Sequence, residues 1–264
     1  MNPAFAISAD KGTPKSLLDQ LAKKTLLPLL NPRIQAGYLL HITTDYLELR
    51  KITQTGKKQK IESIHIDFVG GKTNHRRLHG GGKGQDIAKA IGLHKTQNPT
   101  VLDLTAGMGG DAFVLASLGA QVTMVERNLI VHALLADALN RAALYSDPAL
   151  QTVLKRITLL NQDANTVLKL LDNDSLPDVI YLDPMFPERN KSAQVKKEMQ
   201  FFHDIVGTDD DSEALLLNAL TKAKKRIVVK RPRLAEKLTE SIKPAFEITG
   251  KSTRYDVYLP TTPR

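Results

Sequence analysis

The stretch VLDLTAGMGGDAF, Val101 to Phe113, constrains this chain more than any other: a short apolar run stops at a glycine cluster, and helix-forming residues follow at once. That order predicts a strand, a tight turn and a helix N-terminus, a layout in which backbone N–H groups can approach a nucleotide-like ligand. Gly107, Gly109 and Ala112 fit the spacing G-x-G-x-x-A, with Gly110 between them, Asp103 inside the strand and Asp111 at the helix start. A dinucleotide-binding fold carries the same spacing, and so does a purely structural turn.

From Pro99 onward strands and helices alternate. The strands are expected at VLDLT, QVTMVER, RITLLNQDA, DVIYLDPMFP and RIVVKRP, with FEITGKSTRYDVYLP as a closing pair. Helical spacing of apolar residues falls between them, at Asp111 to Leu118, NLIVHALLADALNRAALY, NTVLKLLD, SEALLLNALTKAKK and RLAEKLTESI. This alternation implies an α/β fold: a parallel sheet covered on both faces, with ligands at the C-terminal strand ends.

The first third reads differently. LLDQLAKKTLLPLL has helical spacing until Pro28 and Pro32 end it, and YLLHITTDYLELRKI and IESIHIDFVGG are rich in β-branched and aromatic residues. Two or three antiparallel strands are expected there, in a small β-rich domain over residues 1–74 that precedes a larger domain over 75–264. GGKTN resembles the end of a phosphate loop, but Ile66 stands where that loop needs a glycine and no helical pattern opens after Thr73. His75 and His79 have metal-ligand spacing without the glutamate that would accompany it, so no metal is expected.

Composition narrows the function. With no cysteine there is no disulfide, thiolate metal site or cysteine nucleophile. No segment approaches the roughly 18 apolar residues of a membrane span and no signal-like apolar run opens the chain, so a soluble cytoplasmic protein without a membrane partner is expected. The net charge is +9 over residues 1–95, −4 over 96–180 and +4 over 181–264. A neutral or acidic ligand-binding core flanked by basic surface suits a polyanionic macromolecule. Arg76, Arg77 and Lys83 surround three consecutive glycines in NHRRLHGGGKG, as expected of a basic loop that contacts phosphates, although a solvated linker would look the same.

Four strand ends carry the chemistry. The first is the glycine turn. At the second, Glu126 follows Gly107 by nineteen residues, where a carboxylate can accept two hydrogen bonds from a ribose diol, with Arg127 beside it. At the third, Asp163 and Ala164 stand where a carboxylate could accept from an adenine amine, or cap the following helix. At the fourth, Asp183-Pro184-Met185-Phe186-Pro187 is the most specific signal. The lone pair of an exocyclic base amine is delocalised into its ring. An Asp183 carboxylate and the Pro184 carbonyl, both acceptors, could hold the two N–H groups and localise that pair toward an electrophile, while Phe186 stacks on the base.

In this combination the chain resembles the class I S-adenosylmethionine-dependent methyltransferases, with a Rossmann-like, mostly parallel seven-stranded sheet. The fourth element is similar to the (Asp/Asn/Ser)-Pro-Pro-(Tyr/Phe) motif of enzymes that methylate base amines. More narrowly, HRRLHGGGKGQDIAKAIGL, DLTAGMGGDAFVLASLGAQVTMVERN, YLDPMFPERNKSAQVKKEMQ and VVKRP resemble the ribosomal small subunit methyltransferase J family, guanine-N2 methyltransferases of small-subunit ribosomal RNA. The resemblance implies S-adenosylmethionine as cofactor and S-adenosylhomocysteine as product. It puts cofactor contacts on Gly110, Asp111, Glu126, Arg127, Asp163, Ala164 and Asp183, and implies ribosomal RNA or the small subunit as partner. Arg189, Lys191, Lys196 and Lys197, directly after the catalytic motif, join Arg76, Arg77 and Lys83 as the expected RNA path. The competing readings are an adenine-N6 or other nucleic-acid amine methyltransferase, and a nicotinamide-dependent oxidoreductase sharing the glycine turn.

Overall fold

A computed structural model describes residues 5–30, 37–55, 58–185, 204–207 and 211–261. The chain divides into two compact units: one of 1–67, 128–144 and 189–207, the other of 68–127, 145–188 and 208–264.

In the first unit the strands run in the order β1 (Phe5–Ala9), β2 (Gly37–Ile42), β3 (Leu47–Thr55) and β4 (Lys58–Ile64). β2, β3 and β4 form the expected antiparallel meander, whereas β1, outside that expectation, pairs parallel to β2. The long connection needed for parallel pairing contains helix α1 (Lys15–Thr25). Helix α5 (Leu129–Ala143) also belongs to this unit: Asn128 caps its N-terminus by accepting from Ile130 N and Val131 N, and Asp137 accepts from Leu47 N at 3.1 Å. Asp204 accepts from the Tyr38 hydroxyl at 2.5 Å and from Lys51 at 2.7 Å.

The second unit holds a seven-stranded sheet among the described residues. Its strands are β5 (Thr100–Asp103), β6 (Gln121–Val125), β7 (Ile157–Leu160), β8 (Val179–Leu182), β9 (Arg226–Pro232), β10 (Phe246–Thr249) and β11 (Thr253–Tyr258), in the order β10-β11-β9-β8-β5-β6-β7. From β9 to β7 all pairs are parallel, and β11 and β10 add an antiparallel edge. β5 is the middle one of the five parallel strands; the chain runs outward from it to β6 and β7 and then returns to β8 on its other side, which opens a crevice at the carboxyl ends. The core is built from short β-strands such as Val179 to Leu182, buried on both faces as parallel strands must be.

Helices of this unit are α2 (Gly71–His79), α3 (Asp86–Ala90), α4 (Gly110–Ser117), α6 (Pro148–Leu154), α7 (Ala164–Leu170) and α8 (Ser212–Ala219). Three of these results depart from expectation. Arg76 and Arg77 lie on a helix and not in a basic loop: α2 packs on α4, and Asn74 ties it to Val69 O at 2.6 Å. Propensity gave no sign of it, because its support is tertiary. α6 adds a helix between α5 and β7, opened by Asp147 as N-cap and Pro148 at its first position. The helix expected over RLAEKLTESI does not form. The buried Arg231 donates to Glu236 O, and Arg254 donates to Arg233 O and Ala235 O, so these guanidinium groups take carbonyls that a helix would have used internally. No helix among the described residues is long and apolar enough to cross a membrane.

The ring of Phe113, fully buried on α4, stacks on Phe68 with centroids 4.7 Å apart. Phe113→Ala should destabilise the protein by about 3–5 kcal/mol, read from urea unfolding, because it opens a cavity behind the glycine turn.

Candidate active site

β5 delivers its chain to the turn between Asp103 and Gly110. Gly107 and Gly109 have φ of +52° and +71°, a left-handed conformation that costs a glycine little and other residues more. Gly109 N donates to Ala106 O at 2.8 Å, and Phe113 N donates to Gly109 O as α4 begins. The turn is tied sideways as well: Gly107 N donates to Glu126 Oε2 at 3.1 Å. Glu126 is buried directly after β6, and Asn161 beyond β7 donates to its carbonyl at 2.8 Å. Three strand ends are therefore linked in one edge, with backbone N–H groups and a carboxylate arranged around the helix N-terminus, as a nucleoside with a charged tail requires.

Asp183 follows β8. Its N–H donates to Thr105 Oγ1 at 2.6 Å, which fixes it to the glycine turn one strand away, and Pro184 behind it is buried. Its Oδ2 accepts from Lys230 Nζ at 2.8 Å. The same ammonium donates to Asp111 Oδ2 at 2.8 Å, and Asp111 also accepts from Arg76 Nη1 at 2.5 Å and from the Tyr181 hydroxyl at 2.7 Å. The result is a continuous polar chain, Arg76–Asp111–Lys230–Asp183, across the carboxyl ends of β5, β8 and β9.

Its electrostatics follow from burial set against charge. Burial works against ionisation of Asp111, but Lys230 and Arg76 outweigh it and hold the carboxyl well below its ordinary value. Burial likewise disfavours the Lys230 ammonium, and Asp183 and Asp111 more than compensate, so its value is raised. For Asp183 desolvation raises the carboxyl and the charge of Asp111 adds to the rise, while Lys230 opposes both. The balance leaves the Asp183 carboxyl above its ordinary value, although 40% of its side chain is exposed and the ammonium stands 2.8 Å away. Asp103, 2% exposed, is pushed up to about 8 by burial; its bond from Thr105 N at 3.1 Å pulls the other way, and Asp111 and Asp183 add to the rise.

The structure thus gathers Asp103, Gly107, Gly109, Gly110, Asp111, Glu126, Asp183 and Pro184 at one sheet edge. Asp163 and Ala164 stand at the same edge after β7, where Asp163 caps α7 by accepting from Thr166 N at 3.0 Å. Arg127 pairs with Asp211 at 3.0 Å. Phe186, Arg189, Lys191, Lys196 and Lys197 lie outside the described residues. Of the first basic group, Arg76 is committed to Asp111 and Gln85, and Arg77 to Asn74 and Asp147, so neither presents an unpaired guanidinium; Lys83 is exposed in the turn that follows α2. Among the described residues no cluster of three metal-ligating side chains occurs, and His75 and His79 contact only ring to ring, with centroids 4.8 Å apart. Sequence reasoning missed Lys230, Thr105 and Tyr181. Lys230 had a signal: a lysine inside the apolar run IVVKRP needs a carboxylate partner.

Comparison with known proteins agrees with this geometry. Residues 20–260 match the family described as "Putative SAM-dependent methyltransferase". Ribosomal RNA small subunit methyltransferase J of Cellvibrio japonicus is 51% identical over 210 residues, 78% of each chain, and that of Pectobacterium atrosepticum is 46% identical over 258 residues, covering 97% of this chain and 99% of its own. The crystal structure of a SAM-dependent methyltransferase from Neisseria gonorrhoeae superimposes with a TM-score of 0.74 at 36% identity, covering 98% of this chain and 97% of that one.

Asp103 has a folded-state value of about 8 against an ordinary 3.8, so the native state binds its proton more tightly than the unfolded chain. Its contribution to stability is complete below about pH 4 and is lost as pH rises toward 8, by at most about 1.4 kcal/mol per pH unit. Asp103→Asn should flatten that part of the stability profile, measured by denaturant unfolding at a series of pH values.

Proposed function

The chain belongs to this SAM-dependent methyltransferase family, and we propose that it methylates the exocyclic N2 amine of a guanine in small-subunit ribosomal RNA. The observation that carries the proposal is the fixed neighbourhood of Asp183, Pro184 and the glycine turn on adjacent strands. Family membership removes the nicotinamide reading, and the ribosomal RNA relatives favour RNA over other amine substrates. A ribosomal RNA substrate favours a cytoplasmic location.

S-adenosylmethionine, when bound, supplies an electrophilic methyl group on a sulfonium. The open turn from Gly107 to Asp111 fits its backbone contacts, Glu126 stands where its ribose would lie, and Asp163 and Ala164 border the adenine side. The Gly107 N–H bond holds Glu126 ready for a diol before any ligand arrives. Asp111 serves this site indirectly, since its carboxylate is engaged by Arg76, Tyr181 and Lys230.

Asp183 and the Pro184 carbonyl accept the two N–H groups of the target amine and aim its lone pair. The gain is one of alignment, which converts an encounter of two reactants into a positioned displacement. The amine gives up its proton after transfer, so Asp183 need not be a strong base. Lys230 opposes the rise that burial gives the Asp183 carboxyl, so it favours the ionised, acceptor-only form, and it holds the side chain in place.

Asp183→Ala should lower kcat for methyl incorporation into ribosomal RNA about a hundredfold or more, with melting temperature and S-adenosylhomocysteine binding retained. Near-normal turnover of that variant would sink the assignment. Nucleoside analysis of the product checks N2-methylguanine against an adenine-N6 product. In Lys230→Met the Asp183 carboxyl loses its ammonium neighbour, so the acid limb of the pH–rate profile should move to higher pH. Lys230→Arg should keep the limb near its original position; an unmoved limb in Lys230→Met contradicts the role.

A further inference from the structure

Alongside α3 and β10 the same unit carries a second basic feature, which the reaction does not use. There Lys83, Lys89, His94, Lys95, Arg226 and Phe246 line an open groove of about 580 Å³. Arg226 opens β9 and Lys230 stands four residues further along it, so this guanidinium lies about 13 Å of extended chain from the ammonium that holds Asp183.

The groove has a built floor. The Arg226 guanidinium donates to Ala90 O at 2.8 Å and Lys89 O at 3.2 Å at the end of α3, and it lies over the Phe246 ring at 5.4 Å. Gly92 makes room for it: φ there is +75°, and a Cβ would come within 2.8 Å of Arg226 Cζ. Phe246 itself is 41% exposed, large for an aromatic ring on a sheet edge. Around this floor Lys83, Lys89, His94 and Lys95 are exposed. Asp86 pairs with Lys89 at 3.1 Å, while among the described residues Lys83 and Lys95 have no carboxylate partner. No carboxylate lines the groove.

Fixed guanidinium, mobile ammonium groups and an open aromatic face form the combination that holds a single-stranded nucleic acid: cations on the phosphates, a ring under a base. We propose that this groove binds the phosphate backbone of the ribosomal RNA substrate away from the methylated guanine, with an unpaired base on Phe246. The proposal rests on RNA being the substrate. It joins Lys95, Arg226 and Phe246 to Lys83 on the RNA-binding surface.

The test uses the full chain and deproteinised small-subunit ribosomal RNA, with binding measured between 50 and 200 mM salt. The double substitution Lys83→Glu with Lys95→Glu should weaken binding about tenfold at the low-salt end and reduce the slope of log affinity against log salt by about 2. Phe246→Ala should weaken binding roughly fivefold or more with the slope unchanged. S-adenosylhomocysteine affinity, unaltered in all variants, shows that the fold is kept. Wild-type affinity and slope in the double variant would overturn the groove while leaving the substrate intact, provided the wild-type protein methylates this RNA. A wild-type protein that leaves the RNA unmethylated overturns the substrate reading itself.

Discussion

The ammonium of Lys230 is the interaction on which the active edge depends. Asp111 and Asp183 come from different strand ends, and two carboxylates brought this close would repel unless a cation stood between them. Lys230 supplies it from a third strand, and Arg76 adds a second positive charge on the far side of Asp111. Buried pairs of this kind add little net stability, because desolvation of the ions offsets much of their attraction. What they fix is position: both Asp111 oxygens and the Asp183 Oδ2 have defined donors.

The second economy is at Asp103. It sits behind the network with an elevated pKa, so near neutral pH it carries its proton and does not add a further negative charge. The edge therefore combines Asp103, raised by burial, with Asp111, held well below its ordinary value, and Asp183, where burial and the Lys230 ammonium oppose each other. The difference arises from environment alone, since all three are aspartates. Asp103 is enclosed with little more than the Thr105 N–H, while Asp111 and Asp183 share an ammonium.

The sequence made the central architecture legible because its signals are local. Alternating apolar runs and glycine punctuation mark the strands and the turn at Gly107, and Asp183-Pro184 announces itself by an acid delivered from a buried strand. What remained hidden depends on partners distant in sequence. α2 has weak intrinsic support and gains a hold on α4 through Arg76 and Asp111, thirty-five residues apart. Residues 233–242 look helical by spacing, yet Arg231 and Arg254 claim their carbonyls from neighbouring strands. Lys230 signals a carboxylate partner from inside its apolar run, but which carboxylates it meets emerges only when the sheet order sets β9 beside β8. Asp163 offered two readings from sequence, and the hydrogen bond seen is the helix cap.

The bond from Asp183 N to Thr105 Oγ1 has a consequence for how the edge moves. One loop is proposed to carry the methyl donor and the other the acceptor, and in most two-loop sites each fluctuates on its own. Here a single hydroxyl spans them at 2.6 Å, so a displacement of the glycine turn drags the aspartate with it. Thr105 thereby ties the end of β8 to the end of β5 through one side chain.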